Sequence, residues 1–195
     1  MPRVSDAHRA ARREQIAEAA LQVLARKGSD ASIAEIVAEC GLSAGAIYGN
    51  FENKADIARY IAGRLLHRKI GTLDEAVSDG AVRSPADVLR LFMSLRRQPS
   101  DLSVLLQFWG ESTVDDGLHQ IMEERAAEFR DAIARALRPW AEAQPEAADG
   151  GAEALARRSA EVCLAMVQGW FANTALFGWL TGEEFLDGAE RAFRG

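Results

Sequence analysis

The three histidines, His8, His67 and His119, and the two cysteines, Cys40 and Cys163, are where a nucleophile, a proton shuttle or a metal site would first be sought. None has a partner at catalytic or ligand spacing. The cysteines sit in apolar surroundings with no second thiol or nearby histidine, which argues against a disulfide framework and a zinc site and fits a reducing cytoplasm. Enzymatic, metal and cofactor chemistry are therefore not expected. Polar groups gather instead in SIAEIVAECGLSAGAIYGNFENK, residues 32–54. There the small residues Ala44, Gly45 and Ala46 lie between Ser43 and Tyr48, and small side chains let a helix backbone approach base edges and phosphates in a major groove.

Each polar residue of this stretch has a structural and a functional reading. Ser32 and Ser43 are helix N-caps worth about 1 kcal/mol each, and a hydroxyl or backbone N–H at a helix start can also meet a phosphate. Tyr48 is a core aromatic or, better suited to its place one turn into a helix, a phosphate contact through its hydroxyl. Asn50 follows two residues later and is a further candidate DNA contact. Lys54 puts a cation in the first turn of a helix, against the macrodipole, and a DNA phosphate would justify it. Upstream, Arg3, Arg9, Arg12 and Arg13 face only Asp6, either as a solvated end or as a basic arm able to enter a minor groove.

The elements that position these groups are helices. Alanine, leucine, glutamate and arginine dominate and β-branched runs are scarce, so propensity predicts an all-α chain. Ile16, Ala20, Val23 and Leu24 mark the buried face of a first helix over 9–27, ended by Gly28. Ser32 with Glu35 opens a second helix that Gly41 ends, Ser43 caps a third over 44–50, and Asn53 with Asp56 opens a long fourth running towards Ile70. Ile36, Cys40, Leu42 and Ile47 fill the buried positions of a helix-turn-helix around the Gly41 turn. Further starts are read at Ser84-Pro85, after Pro99, near Leu118, at Glu153 and at Thr181, with Pro139 expected to break or kink its helix.

Residues 9–60 resemble the DNA-binding domain of the tetracycline-repressor (TetR) family: GLSAGAIYGNFENKADI has its glycine, apolar residue and serine, its aliphatic-tyrosine pair, its phenylalanine and its asparagine-lysine. Val37 stands where the family has a small alanine, and Gly49-Asn50 replaces a bulkier pair. The resemblance implies a dimeric, ligand-responsive repressor released from a palindromic operator by a small molecule. The N-terminal helix-turn-helix domain is placed at 1–54 and a larger helical ligand-binding and dimerisation domain at 55–195. Its DNA contacts would come from Arg3, Ser32, Ser43, Ala44, Gly45, Tyr48, Asn50 and Lys54.

Charge follows the same division. Residues 1–54 carry seven basic and seven acidic side chains, and the remainder sixteen and twenty-two, so all of the net charge of −6 lies in the second part. That part has apolar residues on both sides of a helix over 162–177, with Val162, Met166, Trp170 and Thr174 in one row and Leu164, Val167, Phe171 and Ala175 in the other. One row can pack on its own core. The other is expected to meet a second copy, with Leu164, Val167, Phe171 and Phe185 at the dimer interface; burial within a monomer is the alternative. Phe92, Met93, Phe108, Trp109, Met122, Phe129 and Trp170 are the large soft residues expected to line a pocket for an apolar or amphipathic effector. His67 could sense that pocket or be an ordinary surface group. The interrupted apolar stretch 162–180 predicts no membrane span. A helical small-molecule carrier or protein-interaction module without DNA binding is the rival reading, which leaves the SAGAIY turn and Lys54 unexplained.

Overall fold

A computed structural model describes residues 6–78, 84–94, 99–145 and 151–194. They form nine α-helices and no strand among the described residues: α1 (Asp6–Lys27), α2 (Ile33–Cys40), α3 (Ala44–Tyr48), α4 (Lys54–Ser78), α5 (Pro85–Ser94), α6 (Pro99–Glu111), α7 (Asp116–Glu142), α8 (Ala152–Leu176) and α9 (Gly182–Arg194). A 3-10 turn, Gly28–Asp30, joins α1 to α2.

The sequence signals act as local chemistry requires. Ser32 and Glu35 form a reciprocal capping box at the start of α2, and Thr181 with Glu184 does the same at α9. Gly41 ends α2 at φ +65°, a conformation that a side chain would strain. Two signals act differently from expectation. Asp115, whose carboxylate accepts from the Leu118 N–H at 2.6 Å, caps α7, and Pro139 does not end that helix. The proline removes one backbone bond so near the terminus that the helix closes at Glu142 regardless.

The chain divides into two compact units that are discontinuous in sequence, Met1–Arg64 with Arg97–Met122, and Leu65–Arg96 with Glu123–Gly195. In the first, Ile16, Ala20, Val23 and Leu24 of α1 are buried with Ile36, Ile47, Phe51, Ile57 and Ile61. Helix α6, read from the sequence as part of the second domain, packs in this unit against α1. Its Val104, Leu105 and Phe108 are buried, and Gln107 donates to the Leu24 carbonyl at 3.5 Å. Arg59 of α4 pairs with Asp115 at 3.3 Å.

In the second unit, Val88, Leu89 and Phe92 of α5 are buried along with Ile133 and Leu137 of α7 and Ala160, Cys163 and Val167 of α8. Phe92 meets Phe129 edge to face, centroids 4.9 Å apart. Burial pushes the Cys163 thiol up to about 12. Here the expected dimer surface needs correction. Val167 and Phe171 are only 3 % and 4 % exposed in the single chain. They lie on the stripe with Ala156, Ala160 and Cys163 that faces the unit's own core, and so cannot offer an interface. Leu164 is half-buried, and Phe185 packs on Trp170 with centroids 5.1 Å apart. The outward stripe of α8 carries Val162, Ala165, Gly169 and Leu176 instead, and it continues into exposed Phe177, Trp179 and Leu180.

Candidate nucleic-acid interface

Helix α3 is five residues long and is held from outside more than by its own hydrogen bonds. Ser43 Oγ accepts from the Ala46 N–H at 3.2 Å, fixing its start. Ile47, with no exposed surface, anchors its middle, and Phe51 anchors the chain just beyond. Asn50 donates its amide back to the Ala46 carbonyl at 2.8 Å, closing the end. With Ile47 inward, the outer face consists of Ala44, Gly45, Tyr48 and Gly49, and the Tyr48 ring is 57 % exposed.

Gly45 is the informative member of that face. A Cβ added there would meet only Ser43 Oγ at 3.9 Å, an ordinary contact, and the backbone is not left-handed. Nothing inside the protein calls for glycine at this position, and glycine weakens a helix. A surface approaching from outside would call for it.

The predicted contacts divide into those left outward and those engaged internally. Ser32 is exposed beside them at the start of α2, its Oγ accepting from the Glu35 N–H at 3.3 Å. A hydrogen bond from Lys27, with two more from the Ser32 backbone and hydroxyl, lowers the Glu35 carboxyl from 4.5 to about 2. Lys54 is corrected. Its ammonium donates to the backbone carbonyls of Ser29 and Ala31, the second at 2.8 Å, tying α4 to the turn before α2. Those carbonyls, neutral acceptors, give the ammonium partners inside the protein where the sequence argument looked to a DNA phosphate. Asn50 likewise spends its amide inside the motif. Arg3 lies outside the described residues, and Arg9, Arg12 and Arg13 stand on α1 itself rather than on an arm.

Sequence reasoning missed what Arg13 does. Its guanidinium donates to the Asn50 carbonyl at 2.7 Å and lies over two rings, 4.2 Å from the centroid of Phe51 and 4.7 Å from that of Tyr60. Tyr60 donates to Glu14 at 3.3 Å, and burial, then Glu14, raise its phenol above the ordinary value of 10 and keep it a donor. Alternation of Arg13 with Glu14 gave no hint that one reaches α3 and the other α4.

Of the expected effector residues, Phe108, Trp109 and Met122 belong to the first unit, and Phe92, Met93, Phe129 and Trp170 to the second. The structure brings Phe92 against Phe129, and Met93 and Trp170 together around Gly182, where a Cβ would lie 3.0 Å from the Met93 methyl and 3.9 Å from the indole. A cavity of about 350 Å³ in the second unit has other walls: Ser84, Pro85, Ala86, Arg90, Trp140, Glu190 and Phe193. The side chain of His67 lies outside the described residues. Among the described residues no cluster of metal ligands occurs, and no helix is long and apolar enough to cross a membrane.

Comparison with known proteins supplies independent findings. Residues 16–61 match the family described as bacterial regulatory proteins, tetR family. Residues 86–186, more than half of the chain, match the BetI-type transcriptional repressor C-terminal family. No curated protein matches the chain. Among solved structures, a transcriptional regulator from Rhodococcus sp. Rha1 is similar at 22 % identity and a TM-score of 0.70, over 91 % of this chain and 90 % of its own. A TetR transcription regulator from Haloarcula marismortui is similar at 17 % and 0.69, over 95 % and 96 %. A protein from Saccharomonospora viridis, described as a transcriptional regulator and solved in complex with choline, is similar at 20 % and 0.68, over 95 % and 96 %.

Proposed function

Because the chain belongs to the TetR family of bacterial transcriptional regulators, with a C-terminal part of the BetI repressor type, we propose that it is a repressor that binds a palindromic operator as a homodimer and leaves it when a small effector binds. The chain is a regulator, not an enzyme. The observation that carries the operator reading is the outer face of α3, where Ser43, Ala44, Gly45 and Tyr48 stand exposed and glycine occupies a helical position with room for a side chain. Backbone and small side chains there can reach the floor of a major groove, while the hydroxyls of Ser43 and Tyr48 offer donors to phosphate oxygens; the hydroxyl and backbone N–H of Ser32 are held by Glu35.

The outward stripe of α8 supports the dimer reading. Val162 is 46 % and Trp179 74 % exposed, and these residues with Ala165, Gly169, Leu176, Phe177 and Leu180 make an apolar surface that a second copy would cover. A two-fold protein requires a two-fold operator. For the effector, the half-buried Met93 and Trp170 are the members of the second unit open to a small apolar or amphipathic molecule. The choline of the Saccharomonospora structure is a ligand of that size class. Helix α4, continuous from Lys54 to Ser78, is the element through which effector binding would change DNA affinity, by about 1–3 kcal/mol in an ordinary case.

Selection of bound fragments from random duplex DNA tests the proposal. The expected result is an inverted repeat with its half-sites about one helical turn apart. Recovery of no enriched sequence, with no salt-dependent binding to duplex DNA, would overturn it in favour of a helical carrier.

A further inference from the structure

The proposed operator reading leaves one question of geometry. A five-residue helix with an exposed outer face has little intrinsic stiffness, yet base reading requires its direction to be fixed. We propose that Arg13 is the positioning residue that fixes it. This inference rests on that reading of α3 and adds a residue of α1 to the recognition apparatus.

The geometry is specific to an arginine. The guanidinium plane is shared between the faces of Phe51 and Tyr60, whose rings meet edge to face at 71° with centroids 5.5 Å apart. Its Nη1 donates at 2.7 Å to the carbonyl of Asn50, the residue whose amide closes α3. One side chain therefore ties the end of the recognition helix to α1 and, through Tyr60, to α4. The second partner is itself held: Tyr60 donates to Glu14, Glu14 pairs with Arg64 at 2.5 Å, and Arg64, only 9 % exposed, pairs with Glu18 at 3.0 Å. A guanidinium held against two rings and at one N–H by groups of its own chain acts on DNA through α3 rather than through a phosphate. Lysine keeps the charge but has neither the planar face nor the fork.

The test measures affinity for the selected operator and for random duplex, each across a range of salt, in the full-length protein. Arg13→Lys should lower the operator-over-random ratio about tenfold, the scale of one misread base pair, with random-duplex affinity and its salt slope unchanged. Tyr60→Leu, which removes one ring face, should do the same. Tyr60→Phe, which keeps the ring and loses only the hydroxyl, should retain the ratio, and Arg13→Lys with Tyr60→Leu should be no worse than either alone. If Arg13→Lys does not fold, the two Tyr60 variants decide the matter by themselves. A ratio unchanged in Arg13→Lys and Tyr60→Leu, or a parallel fall of both affinities with a shallower salt slope, would overturn the proposal and leave a packing residue or a phosphate contact respectively. A wild-type protein that enriches no sequence would instead overturn the operator reading, and this proposal with it.

Discussion

Replacing Gly45 with alanine separates what the fold needs from what a partner needs. In the free protein the added methyl meets only Ser43 Oγ, at 3.9 Å, and the backbone is already helical, so the substitution should stabilise the chain by about 0.5–1 kcal/mol, the difference between glycine and alanine in a helix. Bound to an operator, the same methyl would stand between the α3 backbone and the groove floor. An overpacked contact costs about 1–3 kcal/mol, and in a dimer it is met at both half-sites. Affinity for the wild-type operator should thus fall at least tenfold while stability rises, and a new selection with Gly45→Ala should return a changed half-site. Urea denaturation and operator titration on the same preparation measure the two signs together. Undiminished operator affinity in a stabilised variant would show that no surface approaches Gly45 closely, and would remove the main support for α3 as the recognition helix.

Three further outcomes are expected. Lys54→Ala should lose about 1–3 kcal/mol in denaturant unfolding, because two backbone carbonyls lose a charged donor. Val162→Glu, on the outward stripe, should give a folded monomer by sedimentation, whereas Phe171→Glu should unfold the chain, since a carboxylate replaces a ring with 4 % exposure. Glu35 binds its proton more weakly in the folded state, at about 2 against an ordinary 4.5, so its stabilising effect is complete above 4.5 and disappears as pH falls through about 2. Glu35→Gln keeps the cap but loses the ion pair with Lys27, so stability measured against pH should flatten in that window.

How much of this was legible in the sequence depended on whether the deciding interaction was local. The caps at Ser32, Ser43 and Thr181 and the turn at Gly41 were readable because their partners lie within a few residues. So was the inward row of α1, which has a helical period. The internal partners of Lys54 were not legible because Ser29 and Ala31 stand on an earlier turn, and the dipole argument named an unmet need without saying who meets it. Arg13 looked like one of several terminal cations because nothing in a linear sequence joins it to Asn50, Phe51 and Tyr60. In α8, two apolar rows were visible but not their order of burial. The row with Leu164, Val167 and Phe171 was assigned to the interface, yet Val167 and Phe171 are buried in the unit's own core and the stripe with Val162, Ala165 and Gly169 is left exposed. Bulk favours burial, and close approach of two helices favours small residues.

The basic residues of the N-terminal helices bear on how such a protein would hold DNA at all. Arg26 pairs with Glu39 at 2.5 Å, Lys27 with Glu35, and Arg64 with Glu14 and Glu18. Lys54 and Arg13 are engaged by backbone carbonyls. These cations hold the helices of the motif together, so each has a partner to give up before it can neutralise a phosphate. Counterion release, which supplies much of the affinity of a strongly basic DNA-binding surface, is correspondingly limited within one copy. On the proposed reading the hydroxyls of Ser43 and Tyr48 would contribute without charge. In the proposed homodimer the remaining source of affinity would be duplication: two heads would meet two half-sites, and the second contact would be intramolecular. The apolar stripe at Val162, Ala165, Gly169 and Leu176 would then matter to DNA binding as directly as α3 does, because a single copy in which Arg26, Lys27 and Arg64 are already paired would hold its half-site weakly at physiological salt.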